Sequence, residues 1–363
     1  MSGEKREQLS RIVIKGFKSI KECDLDLNSI NILIGANGSG KSNFISVFEM
    51  LQRVLFRELA LYTGRKGLAN ILYNGPKVTN SIMAEFHFGS TQYSFELEWT
   101  ENNSFLFRKE NFNINGNEFL GYAGHRESNV INTLRETKSV MCVPQIILNP
   151  AWRVYQFHDT SPSSRIKSEH YLSNDVSLMN DASNLAAFLY RLKQVFPQEY
   201  NDIIHAVQFV APFFEDFVLI PKELNKEQIV LKWRKNNCED VFNASQFSDG
   251  TLRFICLATL LLQPTKLQPS TIIIDEPELG LHPLAITILS EMVQKAAVNK
   301  QIILATQSAE LLDNFDVNDV IVIDNGANGS EFKRLDEKQL KLWLDNDYTL
   351  GELWNKNIFG GRP

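Results

Sequence analysis

The chain has 363 residues, 44% hydrophobic and 22% charged, and a net charge of −6. That composition belongs to an ordinary globular protein with enough chain to build a large core without staples. It weighs against a dedicated nucleic-acid coat, which is usually basic. No apolar run approaches the roughly 20 residues of a membrane helix, so no membrane partner is expected. The polar start, residues 1–7, has no apolar signal region, and Cys23, Cys142, Cys238 and Cys256 lie far apart without ligand spacing. Both features point to a reducing, cytoplasmic setting.

Residues 11–34 alternate as strands, ending in the apolar run 30–34. Residues 35–42 then read Gly-Ala-Asn-Gly-Ser-Gly-Lys-Ser, the pattern G-x-x-x-x-G-K-S, and 41–60 have helical spacing. Strand, glycine loop and helix together are the context in which that pattern binds phosphate. Its backbone N–H groups curl around the phosphates at the positive end of a helix. Lys41 reaches the β- and γ-phosphates, and the Ser42 hydroxyl takes Mg²⁺. The short basic clusters at 65–66 and 165–167 read as solvated loop charge.

Residues 82–114 alternate again, punctuated by turn residues near 102 and 116, which predicts an antiparallel sheet. Residues 121–145 are polar and give no pattern. Helices are predicted over 184–192 and from Pro197, and a strand over 229–233. An apolar helix over 248–262 opens on Ser248-Asp249. A buried strand at 270–275, a helix after Pro283, and buried strands at 301–306 and 320–323 follow. This alternation predicts a parallel α/β sheet. There is no internal repeat, low-complexity tract or heptad run.

The strand at 270–275 ends in Asp275-Glu276. Beside a phosphate loop, Asp275 would hold Mg²⁺ and Glu276 would polarise the attacking water. The run Phe247-Ser248-Asp249-Gly250-Thr251 places a hydroxyl and glycine N–H groups at a helix start, which reads as a cap or, in company, as an anion site.

Phosphate loop, then Phe-Ser-Asp-Gly-Thr, then Asp-Glu-Pro-Glu-Leu-Gly-Leu-His-Pro resembles the ABC-type ATPase heads of the SMC, RecF and OLD-like class. Residues 12–20 are similar to the first strand of those heads. The resemblance implies an α/β fold: an ABC-type P-loop ATPase head with a mixed sheet, an antiparallel β subdomain and a helical lobe. It implies a single head over 1–363. Within it would lie an N-terminal lobe at 10–155, a helical and signature lobe at 160–265, an acid-bearing part at 270–335 and a tail at 336–363.

It further implies two heads sandwiching two ATP molecules. Asn37, Gly38, Ser39, Gly40, Lys41, Ser42 and Asn43 of one head would face Ser248, Asp249 and Gly250 of the other, and residues 279–283 would cross the interface. Gln307 stands where the class often has histidine, so it can donate a hydrogen bond to the γ-phosphate but cannot carry charge. For the glutamine that links Mg²⁺ to the helical lobe, Gln156 stands ahead of Gln145. His158-Asp159 reads first as a structural pair.

The interval from Ser42 to Ser248 lacks the coiled coil of SMC proteins, and the residues after Glu276 leave no room for the TOPRIM nuclease of OLD-like proteins. These absences predict a compact ATPase switch, a homodimer or higher oligomer. It would gate a separately encoded effector such as a nuclease, of the kind encoded in bacterial defence operons. The rival expectation is a RecF-like repair ATPase whose ligand is DNA. A transporter subunit is disfavoured by the sequence after Glu276. The apolar tail at 348–361 reads as a docking segment or as a last helix packed on its own core and stopped by Gly360-Gly361.

Overall fold

The computed structural model describes residues 8–130 and 152–361. The chain divides into two compact units, one from Met1–Val154 with Asp316–Pro363 and one from Tyr155–Phe315. Gln145 lies outside the described residues.

The first unit opens with β1 (Leu9–Phe17), β2 (Ile20–Asp26), β3 (Ile30–Ile34), α1 (Lys41–Leu55) and α2 (Leu59–Lys66). It continues with β4 (Ser81–Phe88), β5 (Thr91–Thr100), β6 (Ser104–Ile114), β7 (Asn117–Leu120) and β8 (Trp152–Tyr155). An antiparallel sheet runs in the order β2-β1-β4-β5-β6-β7. β4 and the first seven residues of β5 bury every second side chain, as a sheet with one face in the core requires. The predicted helix over 41–60 is broken: α1 stops at Leu55 and Arg57 takes φ 60°. The next helix starts afresh, with the N–H groups of Leu59 and Ala60 bound to Glu127 at 3.0 and 2.9 Å. A carboxylate at a helix start satisfies donors that have no partner within the helix.

The second unit holds β9 (His170–Tyr171), α3 (Leu185–Val195), α4 (Pro197–Val210), β10 (Phe214–Phe217), β11 (Gln228–Ile229), β12 (Lys232–Lys235) and β13 (Val241–Asn243). After them come α5 (Asp249–Leu262), β14 (Thr271–Asp275), α6 (Pro283–Ala297), β15 (Gln301–Thr306) and α7 (Ala309–Leu312). Strands β14 and β15 pair in parallel, Asp275 opposite Ala305, and both are buried throughout. Such strands need cover on both faces, which their unbroken apolar runs announce. The single strand expected over 229–233 is two: Ile229 pairs with β9, while Trp233 pairs with β10 and β13. Ile229, Leu231 and Trp233 are all buried, but the chain changes pairing partners between them.

The chain then returns to the first unit through β16 (Val320–Gly326), β17 (Gly329–Arg334), α8 (Glu337–Leu344) and α9 (Leu350–Asn355). β16 runs parallel to β3 and antiparallel to β17, giving a mixed sheet. The tail packs on its own unit: Leu350, Leu353 and Trp354 are buried, and Trp354 stacks on Phe359. A Thr349–Glu352 capping box opens α9. The helix ends at Asn355, five residues before Gly360, so the two glycines serve the segment beyond the helix and do not stop it.

Candidate functional site

The first unit carries the glycine loop. Buried β3 delivers the chain to Gly35, and α1 begins at Lys41 with Gly40 at φ 116° as its cap. Asn37, Gly38 and Ser42 are exposed, whereas Ser39 and Lys41 are buried. The Lys41 ammonium donates to the carbonyls of Gly35 (2.5 Å) and Ala36 (2.9 Å), so the loop curves over its own lysine. The Asn43 amide donates to Ser19 Oγ at 2.8 Å. Ser330 of β17 ties this region together, its hydroxyl 2.7 Å from Ser19 Oγ and 2.6 Å from the Ser39 carbonyl. Beside Asn43 opens a cavity of about 610 Å³ whose walls include Lys18, Lys66, Asn70 and Asn74. Two ammonium groups and several amides suit a polar, anionic ligand.

The tail reaches the same loop. Ala36 N–H donates to the Gly361 carbonyl at 2.7 Å, and Gly361 N–H donates to Asp324 Oδ2 at 3.2 Å. Gly361 has φ 84°, and a Cβ there would stand 2.7 Å from Val322 Cγ1 and 2.9 Å from the Trp354 ring. Gly361→Val should therefore lift this segment off the loop. Loss of one backbone hydrogen bond at the glycine loop costs about 1 kcal/mol, so affinity for the ATP that its sequence pattern leads us to expect there should fall roughly fivefold. Isothermal titration checks this, and an unchanged affinity would sever the tail from the loop.

The second unit carries the acids. Asp275 ends β14 and is 7% exposed, and Glu276 follows at φ 47°, a left-handed conformation rare outside glycine. The register of β14 on β15 continues one residue further through the Glu276 N–H to Ala305 carbonyl bond of 2.8 Å. This turn leaves the Glu276 carboxylate against Gln307, whose amide donates to Glu276 Oε1 at 2.8 Å. The Gln156 amide stands 3.4 Å from Asp275 Oδ2, and His158 Nε2 is 2.9 Å from the Asp275 carbonyl. Since a carbonyl only accepts, that imidazole nitrogen carries the proton. Asp159 does not pair with His158; it caps the turn at Ser161.

In the same unit Ser248 caps α5, its oxygen accepting from the Thr251 N–H at 3.1 Å. Below it, Phe247 stacks on Trp233 with ring centroids 4.4 Å apart, in a cluster with Phe214. Ser248 and Asp249 are exposed above this anchor. Gly250 packs so closely on the 276–282 turn that a Cβ would lie 2.2 Å from the Gly280 carbonyl. One helical turn along, Arg253 donates to the Leu279 carbonyl (2.8 Å) and the His158 carbonyl (3.0 Å). A single guanidinium thus joins the helix that Ser248 caps, the turn after Glu276, and the segment carrying Gln156.

The predicted residues fall into two groups. Residues 37–43 share the glycine loop and the first turn of α1 in the first unit; Gln156, Asp275, Glu276 and Gln307 lie together through hydrogen bonds in the second, with Ser248, Asp249 and Gly250 at the start of the helix that Arg253 joins to them. Sequence reasoning missed Arg253 and Glu278. An arginine inside the apolar run 252–262 is the signal that pointed to the first, since a charge there needs partners. Glu278 was legible as a third acid after β14, but nothing local says where it turns.

Solved structures share this architecture. The head domain in "Crystal structure of the SmcHead bound to the C-winged helix domain of ScpA" superposes with a TM-score of 0.59 at 17% identity, covering 92% of this chain and 99% of that one. A second head, titled "Crystal structure of the Smc head domain with an extended coiled coil bound to the C-terminal domain of ScpA derived from Pyrococcus furiosus", superposes at 0.58 with 13% identity, covering 94% and 99%. The fold is therefore that of these Smc head domains. The family described as "AAA domain, putative AbiEii toxin, Type IV TA system" matches residues 30–313, and the chain belongs to it. A stretch of 44 residues is 48% identical to the DNA replication and repair protein RecF of Vibrio campbellii, 12% of this chain and 12% of that protein.

Proposed function

We propose that this chain binds and hydrolyses ATP and uses the cycle as a dimeric switch. The observation that carries the reading is the Gln156–Asp275 and Glu276–Gln307 cluster at the carboxyl end of β14, in a chain that also holds a complete phosphate loop. Lys41 and the N–H groups of residues 37–43 bind the β- and γ-phosphates. Glu276 accepts a proton from water as that water attacks the γ-phosphorus and the bond to the bridging oxygen breaks, releasing ADP and phosphate; the Gln307 amide orients the base and donates to the γ-phosphoryl oxygens.

The donor types fit Mg²⁺, each unit by itself offering hard oxygen donors: the Ser42 hydroxyl in the first, the Asp275 carboxylate and the Gln156 amide in the second. Among the described residues no three His, Cys, Asp or Glu side chains converge as a metal group. Mg²⁺ suits such a setting, because it takes one or two protein ligands and completes its shell with phosphate and water. When bound, it neutralises charge on the β- and γ-phosphates.

In the dimer, Ser248, Asp249 and Gly250 of one head close on the nucleotide of the other. Leu279 and Leu284, both exposed apolar residues flanking Gly280, supply contact area. Arg253 ties that surface to the Gln156 segment, so closure and the catalytic cluster move together.

The output is a separately encoded effector, such as a nuclease, gated in a cytoplasmic bacterial defence system. The family description, which reads "putative AbiEii toxin, Type IV TA system", suits the defence setting and is silent on the effector. The test is capture of partners by tagged Glu276→Gln from its host with ATP and Mg²⁺. A stoichiometric second polypeptide is expected, and its absence in every nucleotide state overturns the effector reading. The stretch shared with RecF favours a second reading, a DNA-binding repair ATPase. Salt-sensitive, ATP-dependent DNA binding by the lone protein would replace the first reading with it.

A further inference from the structure

The turn after β14 holds a carboxylate that has no part in the hydrolysis scheme. Glu278 is largely buried, and burial pushes its carboxyl above the usual range. One oxygen, Oε1, accepts from the Thr306 hydroxyl at 2.7 Å and from the Gln307 N–H at 3.2 Å. The other, Oε2, is buried with no partner among the described residues. A half-satisfied buried carboxyl is costly for folding, and an apolar side chain would fill the same space more cheaply. What Glu278 gains is a grip on the end of the neighbouring strand.

That grip is a chain of bonds. Ser308 N–H donates to Thr306 Oγ at 2.9 Å, and the Thr306 hydroxyl therefore spends its own proton on Glu278. The Ser308 hydroxyl caps α7 through the Leu311 N–H at 3.1 Å. Between these fixed points sits Gln307, its backbone N–H on Glu278 and its side-chain amide on Glu276. The left-handed Glu276 makes the arrangement attainable, since its turn brings residue 278 back beside residue 306.

We infer that Glu278 is a positioning residue for hydrolysis: it clamps the Thr306–Ser308 turn and so keeps the Gln307 amide on the Glu276 carboxylate. The inference rests on the reading of Glu276 as the base. Thr306 contributes through the same oxygen. Glu278 acts through Thr306 and the Gln307 backbone, one step removed from the base, so its effect falls on turnover and leaves ATP affinity alone.

Full-length variants measured for kcat, KM, ATP affinity and thermal unfolding test this. Glu278→Ala should lower kcat about 10- to 100-fold, the scale of an ångström-level misplacement, with ATP affinity within about twofold of the parent. Glu278→Gln should recover most of that loss, because its amide oxygen accepts the same two bonds. Thr306→Val, which keeps shape and removes one bond, should fall between them. Turnover by Glu278→Ala at the parent rate overturns the inference. So does loss of ATP binding in that variant, or a Glu278→Gln as slow as the alanine, which would put the charge itself in the role. Should Glu278→Ala not fold, the Thr306→Val and Glu278→Gln rates decide alone. Glu276→Gln, run in parallel, separates the two levels. If it hydrolyses ATP normally, the reading of the base fails; if it is dead while Glu278→Ala is fully active, only the positioning role fails.

Discussion

Lys41→Ala should raise the dissociation constant for ATP by about 100-fold or more. Lys41 is the first residue of α1, 5% exposed, with its ammonium on the carbonyls of Gly35 and Ala36. A hydrogen bond to a charged partner is worth about 1.5–3 kcal/mol. Removing the ammonium's bonds to both phosphates costs at least about 3 kcal/mol, which is roughly 100-fold in affinity. The loop cannot compensate, since backbone N–H groups carry only partial charge. Equilibrium binding of a fluorescent ATP analogue reads the effect directly. An affinity within threefold of the parent would mean that the loop is not the nucleotide site. The substitution also strips a donor from two backbone carbonyls, so thermal unfolding of the variant belongs in the same experiment.

Glu276→Gln should lower kcat by about 1,000-fold, within the range of a general base, while ATP binds as before. The substitution is nearly isosteric. Its amide oxygen still accepts from Gln307, so the left-handed turn and its bond to Ala305 are expected to persist. What disappears is the proton acceptor of the proposed mechanism, an interaction that mechanism makes only on the way to the transition state. ATP should then accumulate unhydrolysed and hold two heads together. Light scattering with ATP and Mg²⁺ should report twice the monomer mass for the variant and a shorter-lived dimer for the parent. A variant that turns over normally would reassign the base, and Gln307 alone could not replace it, because an amide does not accept a proton at neutral pH.

Much of the first unit was legible because its information is local. The strand at 30–34, the loop at 35–42 and the start of α1 are one continuous segment, and each part has its own pattern: an apolar run, glycines, and helical spacing. The antiparallel strands between 81 and 114 announced themselves by alternation and by turn residues, which found the pairing of β4, β5 and β6. The break between α1 and α2 did not, because Arg57 is no obvious helix breaker. It is Glu127, far along the chain, that supplies the new helix with its cap. Strand β17 and helix α8 were missed for a related reason: a strand with polar residues on one face, beside a loop, has little periodicity to detect.

The candidate site divides in the same way. Residue types and spacing determined the phosphate loop, the two acids after a buried strand, and the helix opened by Ser248, because each is a run of neighbours whose chemistry is set by their own backbone. Gln156 could be nominated only by resemblance; its place beside Asp275 follows from the fold of residues 155–315. Three further roles belong to the tertiary structure alone. Arg253 meets carbonyls 26 and 95 positions away, Glu278 reaches back to Thr306 and Gln307, and Gly361 closes on Ala36. A motif records what a short stretch of backbone can do by itself. Where a side chain finds its partner across the sheet is decided by burial, since a polar group taken out of water must bond whatever the packing puts in reach.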